Sequence, residues 1–91
     1  MGTYLRLTPA LRGVLGCFLA AEAEVWGLLV AKQTGRPTGT IYPLLERLER
    51  EGFVRSRWGE DAPGARRRLY TLTPEGHAWA TDKLSTGRDV P

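Results

Sequence analysis

A chain of 91 residues, 42% hydrophobic and 25% charged, is long enough for one compact domain with a modest core and too short for two. The single Cys17 excludes an internal disulfide and a multi-cysteine zinc site, and the lone His77 has no nucleophile pattern near it with which to form a hydrolytic triad. The net charge is +3 with a pI near 9.5, and it is concentrated: nine basic against five acidic residues lie between Lys32 and Arg68, the remainder being close to neutral. No apolar run approaches the length of a membrane span and the N-terminus lacks the form of a secretion signal, so a cytoplasmic protein is expected, not an enzyme, with no cofactor, no metal and an anionic partner.

Tyr4 to Leu7 alternates apolar and polar, as a short strand or as a lead into the first helix. Thr8-Pro9 then offers a side-chain cap followed by a proline at the first helical position, where its missing N–H does no harm. Leu11, Val14, Leu15, Phe18 and Leu19 form a helical stripe through about Ala21. Gly13 and Gly16 weaken that helix and mark close packing, while Cys17, off the centre of the stripe, reads as a small apolar filler rather than a reactive thiol. Glu22 to Glu24 interrupts the apolar run. A second helical pattern follows through Trp26, Leu29, Val30 and Gln33, closed by Gly35, with Lys32 in the last turn serving the helix dipole or a phosphate.

Only a tight connection fits between Gly35 and Gly39, which makes a helix-turn-helix. In the third helix, over 38–51, Ile41, Leu44, Leu45 and Leu48 gather on one side. Gly39, Pro43, Glu46 and Arg50 lie opposite, flanked by Thr38 and Tyr42 on one edge and by Thr40 and Arg47 on the other. An outer face that is slim at its N-terminal end and bordered by hydrogen-bonding side chains suits entry into a major groove; a merely solvated face is the plain alternative. Pro43 would crowd the Gly39 carbonyl, in the first turn where the backbone adjusts most easily, and a kink is expected there. Glu51-Gly52 ends the helix.

Phe53 to Trp58 alternates, with Val54, Ser56 and Trp58 on one side and Phe53, Arg55 and Arg57 on the other. Gly59 to Ala65 is polar and turn-forming, and Arg66 to Leu72 resumes as a second strand, so a hairpin with a long, flexible tip is expected, Tyr70 and Leu72 packing on the helices. Arg66, Arg67 and Arg68 are adjacent guanidinium groups that repel unless water or phosphate oxygens surround them; with Arg55 and Arg57 in the same segment they read as a phosphate clamp. Thr73-Pro74-Glu75 starts a last helix by the same cap-then-proline device, with Trp79 in the core or at a subunit contact. The expected fold is therefore α+β, a winged helix-turn-helix over 1–84 with three helices, a two-stranded wing and a C-terminal helix, followed by a flexible tail over 85–91.

Three motifs in order, Gly39-Thr40-Ile41-Tyr42-Pro43-Leu44-Leu45, then Arg47-Leu48-Glu49-Arg50-Glu51-Gly52, then the arginines before Tyr70-Thr71-Leu72-Thr73-Pro74-Glu75-Gly76, resemble the PadR-like transcriptional regulators over about Leu7 to Leu84. The resemblance implies a sequence-specific regulator of double-stranded DNA, commonly a repressor, acting as a homodimer on a palindromic operator. Carried over by position, it puts Thr38, Thr40, Tyr42 and Arg47 at base edges, although Tyr42 also fits a core position with its hydroxyl outward. Lys32, Arg36, Arg50, Arg55, Arg57, Arg66, Arg67 and Arg68 would hold phosphates. Relatives usually build the dimer with a longer C-terminal helix, whereas this chain stops soon after Leu84; contacts are expected from Tyr4, Leu5, Leu7, Leu11, Trp79 and Leu84 instead. A small-molecule effector, with Trp26 or Trp79 in a subunit cleft, is compatible with the family but has no dedicated domain here. The rival from another class is a winged-helix adaptor whose arginines meet an acidic protein, an idea to which Glu46, Glu49 and Glu51 lend weight.

Overall fold

The computed structural model describes residues 5–62 and 65–86, so Tyr4 among the expected dimer contacts, and most of the expected tail, lie outside the described residues. The elements are α1 (Pro9–Ala20), α2 (Gly27–Thr34), α3 (Thr38–Arg50), β1 (Val54–Ala62), β2 (Ala65–Leu72) and α4 (Pro74–Thr86). This is the α+β winged helix-turn-helix order read from the sequence. Leu5 to Thr8 has no strand pairing, so the alternating segment leads into α1.

Local chemistry sets the helix ends. The Leu11 N–H donates to Thr8 Oγ1 at 3.1 Å, and Pro9 opens α1. Gly35 (φ 71°) and Gly52 (φ 82°) take the left-handed conformation that stops α2 and turns the chain out of α3. Thr73 performs several tasks at once: its Oγ1 accepts from the Gly76 N–H at 3.0 Å and donates to the Gly52 carbonyl at 2.7 Å, while its N–H donates to the Phe53 carbonyl at 3.0 Å. A Cβ on residue 76 would collide with that same Phe53 carbonyl, so the Thr-Pro-Glu-Gly segment fastens α4 to the corner between α3 and β1.

One core joins all the elements. Leu11, Val14, Leu15 and Phe18 of α1, Val30 of α2, and Ile41, Leu45 and Leu48 of α3 meet Val54, Tyr70 and Ala80, with Leu44 and Leu72 at the margin. Each fully buried aliphatic side chain contributes about 1.5–3 kcal/mol relative to exposure, an upper bound because the unfolded chain already hides some surface. Before α2, Val25 pairs with Tyr70 through reciprocal backbone hydrogen bonds (3.0 and 2.7 Å), which ties the foot of the hairpin to the helices. Phe53 stacks on Trp79 with ring centroids 4.4 Å apart. Cys17 is half-buried and burial pushes its thiol above the ordinary range, as suits a packing residue.

The structure corrects the expectations in four places. Trp26 precedes α2 as its cap position instead of standing inside the helix. The hairpin has no long tip, since pairing continues through Trp58↔Arg68, Gly59↔Arg67 and Glu60↔Arg66 to Ala62↔Ala65, with one irregularity between Glu60 and Ala62. The polar residues there favour a turn, but cross-strand pairing satisfies their backbone equally well. Leu11, expected at a dimer contact, is 1% exposed and already enclosed by this chain's own core. Finally, α4 continues to Thr86, past the expected boundary at 84.

Candidate nucleic-acid interface

The apolar stripe that buries one side of α3 leaves the other side outward. Gly39, Pro43, Glu46 and Arg50 are exposed, Thr38, Thr40 and Arg47 half-buried. Tyr42 is 42% exposed, and its ring lies against Gly27 at the start of α2, where any Cβ would overlap the ring carbons. The tyrosine is therefore not a core residue: its ring is seated on backbone, outside the buried cluster, and it remains accessible. Arg47 Nε donates to Glu51 Oε2 at 3.0 Å, one turn along, so a base contact by this arginine competes with an ion pair. Lys32, Arg36, Arg50 and Arg55 are exposed.

Strand alternation decides where the wing's cations point. The register sets Ser56 opposite Tyr70 and Trp58 opposite Arg68, so Ser56, Trp58, Arg66, Arg68 and Tyr70 share one face. That face is turned toward α3. Ser56 Oγ donates to Glu49 Oε2 at 2.7 Å and accepts from Arg68 Nε at 2.9 Å, and Arg68 lies 3.8 Å from the other Glu49 oxygen. The guanidinium carbons of Arg66 and Arg68 stand 5.2 and 5.1 Å from the centre of the Trp58 ring. Burial pushes the Tyr70 hydroxyl upward, partly offset by Arg68.

The opposite face carries Arg55, Arg57, Arg67 and Leu69. Arg67 stands over Trp26, 4.4 Å from the ring centre. Arg57 donates through Nε and Nη2 to the two oxygens of Glu24, at 2.6 and 2.7 Å. That hydrogen bonding holds the Glu24 carboxyl below its ordinary range. Adjacent strand residues leave the hairpin by opposite faces, yet Arg66, Arg67 and Arg68, expected as one clamp, all border a single hollow together with Trp26 and Trp58. Arg57, expected on phosphate, has its donor fork filled by a carboxylate from the segment before α2.

That hollow lies between α3, the start of α2 and the wing, and its lining includes Trp26, Leu28, Tyr42, Trp58 and all three of Arg66, Arg67 and Arg68. A second, lined by Glu46, Glu49, Arg50, Arg68 and Tyr70, borders α3 further along. Leu28, Tyr42 and Trp58 are exposed at 61%, 42% and 52%, and all border the first hollow. Apolar surface rimmed by cations is a combination that covers the sugar edge and the phosphates of a nucleic-acid strand. Sequence reasoning missed Trp58, Trp26 and Leu28 as members of this surface, and Ser56 and Glu24 as partners of the wing arginines. Trp58 and Arg68 both fall within the expected strands, and what was missing was the register that sets them opposite one another.

Residues 19–82 match the family model described as the transcriptional regulator PadR-like family. The transcriptional regulator Rv3488 of Mycobacterium tuberculosis is 37% identical over 68 residues, which are 69% of this chain and 63% of that protein, so the chain spans less than two thirds of this relative. Bacillus subtilis PadR, solved in complex with operator DNA, superposes with a TM-score of 0.71 at 25% identity, over 80% of this chain and 45% of that one. A PadR family transcription regulator from hypervirulent Clostridium difficile R20291 gives a TM-score of 0.70 at 26% identity, covering 86% and 88% of the two chains. With the motifs, the fold and the family model in agreement over most of its length, the chain belongs to the PadR-like family of transcriptional regulators.

Proposed function

We propose that this chain binds double-stranded DNA in a sequence-specific way and represses transcription as a homodimer on a palindromic operator. α3 enters the major groove with Thr38, Thr40, Tyr42 and Arg47 toward base edges. Lys32, Arg36, Arg50 and Arg55 reach phosphates, joined by Arg66 and Arg68 from the wing face turned toward α3 and by Arg67 from the other. Arg57 takes part only when a phosphate displaces Glu24. The observation that carries this reading is that the outer face of α3 and the arginine-bearing face of the wing border the same hollow. It is supported by the likeness to a PadR solved with operator DNA.

Leu5, Leu7, Trp79 and Leu84 are partly buried hydrophobics at the edge of the core and supply the subunit contact in this proposal, Leu11 being withdrawn into the core. Among the described residues no helix is long and apolar enough to cross a membrane, and the proposed site of action is the cytoplasmic nucleoid. The test is fluorescence anisotropy with a labelled random duplex at low salt. Saturable binding whose logarithm falls linearly with the logarithm of salt concentration supports the proposal. No binding under those conditions, with capture of an acidic protein instead, supports the adaptor reading.

A further inference from the structure

We propose that Trp58 is a positioning residue of this interface: its indole holds the Arg66 and Arg68 guanidinium groups over the hollow before any phosphate arrives. The proposal rests on the duplex-binding reading above. Trp58 is 52% exposed, so its ring contributes little to the core, and it is absent from the buried cluster. The register puts Arg68 directly across from it and Arg66 two residues along on the same face. Both guanidinium carbons lie within the distance at which a ring face attracts a cation, 5.2 and 5.1 Å. Arg68 is restrained from a second side by Ser56 Oγ at 2.9 Å.

Two arginines one alternation apart repel each other, and each has many rotamers to lose when it grips an oxygen. An aromatic ring within reach of both answers both problems. It attracts both cations to fixed places, and it accepts no N–H hydrogen bond in doing so, which leaves the remaining guanidinium donors for phosphate oxygens. Arg55, exposed on the other face, has no ring contact among the described residues and serves as the internal contrast.

The experiment measures affinity for a labelled duplex in the full chain with Trp58→Phe and Trp58→Leu, each in the wild-type background and with Arg66→Gln and Arg68→Gln. Trp58→Leu keeps apolar bulk and removes the π face, so it should weaken binding by about five- to tenfold, with Trp58→Phe weakening it only about twofold. The salt dependence should stay close to wild type, since every cation is still present. In the background lacking both arginines, Trp58→Leu should cost nothing further. Equal affinity of Trp58→Leu and wild type overturns the proposal, as does a phenylalanine variant no better than leucine. An undiminished loss in the arginine-free background also overturns it, because the indole would then touch DNA itself.

Proton NMR of the free protein supplies an independent readout. The Arg66 and Arg68 Hδ resonances should be displaced upfield by the ring current and return to ordinary positions in Trp58→Leu; their absence from the upfield region in wild type sinks the proposal whatever the affinities. If wild type binds duplex and the Trp58 variants match it, the positioning role alone fails. A wild-type chain that binds no duplex removes both this role and the function on which it rests.

Discussion

α3 and the wing carry the two halves of the proposed interface, and they are built on opposite plans. α3 is held from behind: Ile41, Leu45 and Leu48 are fully buried, so its outer face follows from its inner one. The wing is anchored in the core at its foot, by Val54, Tyr70 and the Val25 bridge; further along, its side chains are ordered by one another and by polar and aromatic contacts with Glu24, Trp26 and Glu49. The contrast teaches that one hydrophobic stripe fixes a reading helix, whereas a phosphate-holding strand pair depends on polar and aromatic contacts that solvent weakens. Substitutions in α3's inner face should therefore destroy both regions together, and substitutions in the wing beyond its foot should alter binding while leaving the fold intact.

The largest effect expected is on stability. Leu45→Ala should destabilise the domain by about 2–5 kcal/mol, read from the urea midpoint, with DNA binding lost alongside. Replacing Arg66, Arg67 and Arg68 together by Gln should leave the urea midpoint nearly unchanged and weaken binding to specific and random duplex alike. Its logarithmic salt dependence should flatten by about 0.9 for each phosphate contact removed. A variant with unchanged salt dependence places the wing off the backbone.

Smaller and more selective are the changes at the reading helix. Thr40→Ala or Arg47→Gln should lower discrimination at individual base positions by about 1–3 kcal/mol and leave affinity for random duplex close to wild type. Gly27→Ala sharpens the comparison further, because the added methyl displaces the Tyr42 ring rather than backbone. Its urea midpoint should change little while its sequence preference shifts as in Tyr42→Phe or Tyr42→Ala; a shift in stability with no change in preference assigns Tyr42 a packing role only.

The least effect is expected from Glu24→Gln, which removes the partner of Arg57 on the wing's outer face. Arg57 holds the Glu24 carboxyl below its ordinary value, so the pair stabilises the fold above the unfolded-state pKa and that contribution is lost as pH falls through the lowered folded-state value. Both groups are solvated, so the pH dependence of unfolding should differ only slightly between wild type and Glu24→Gln, and only on the acid side. Freed from the carboxylate, Arg57 should bind random duplex a little more tightly at low salt.

Much of the scaffold was legible because it is written in local terms. The 3,4 spacing from Ile41 to Leu48, the cap-then-proline pairs at Thr8-Pro9 and Thr73-Pro74, and the stops at Gly35 and Gly52 each act within a few residues, and each appears in the structure where the sequence puts it. The interface was less legible because it is assembled from distant parts. Glu24 and Arg57 are 33 residues apart, and Val25 meets Tyr70 across an even longer interval, so no window of sequence contains either pair. The division of the three consecutive arginines follows from alternation alone and was within reach. Knowing that Arg66 and Arg68 share Trp58, however, required the register, which depends on how far pairing runs toward the tip.

Unbiased selection of binding sites from random duplex bears most directly on the claim that the outer face of α3 reads sequence. The wild-type chain should enrich an inverted repeat whose half-sites are about 10–10.5 base pairs apart, or a multiple of that, and the Thr40→Ala, Arg47→Gln double variant should enrich a different or degenerate half-site. Recovery of no motif, or of one identical motif from both proteins, contradicts it.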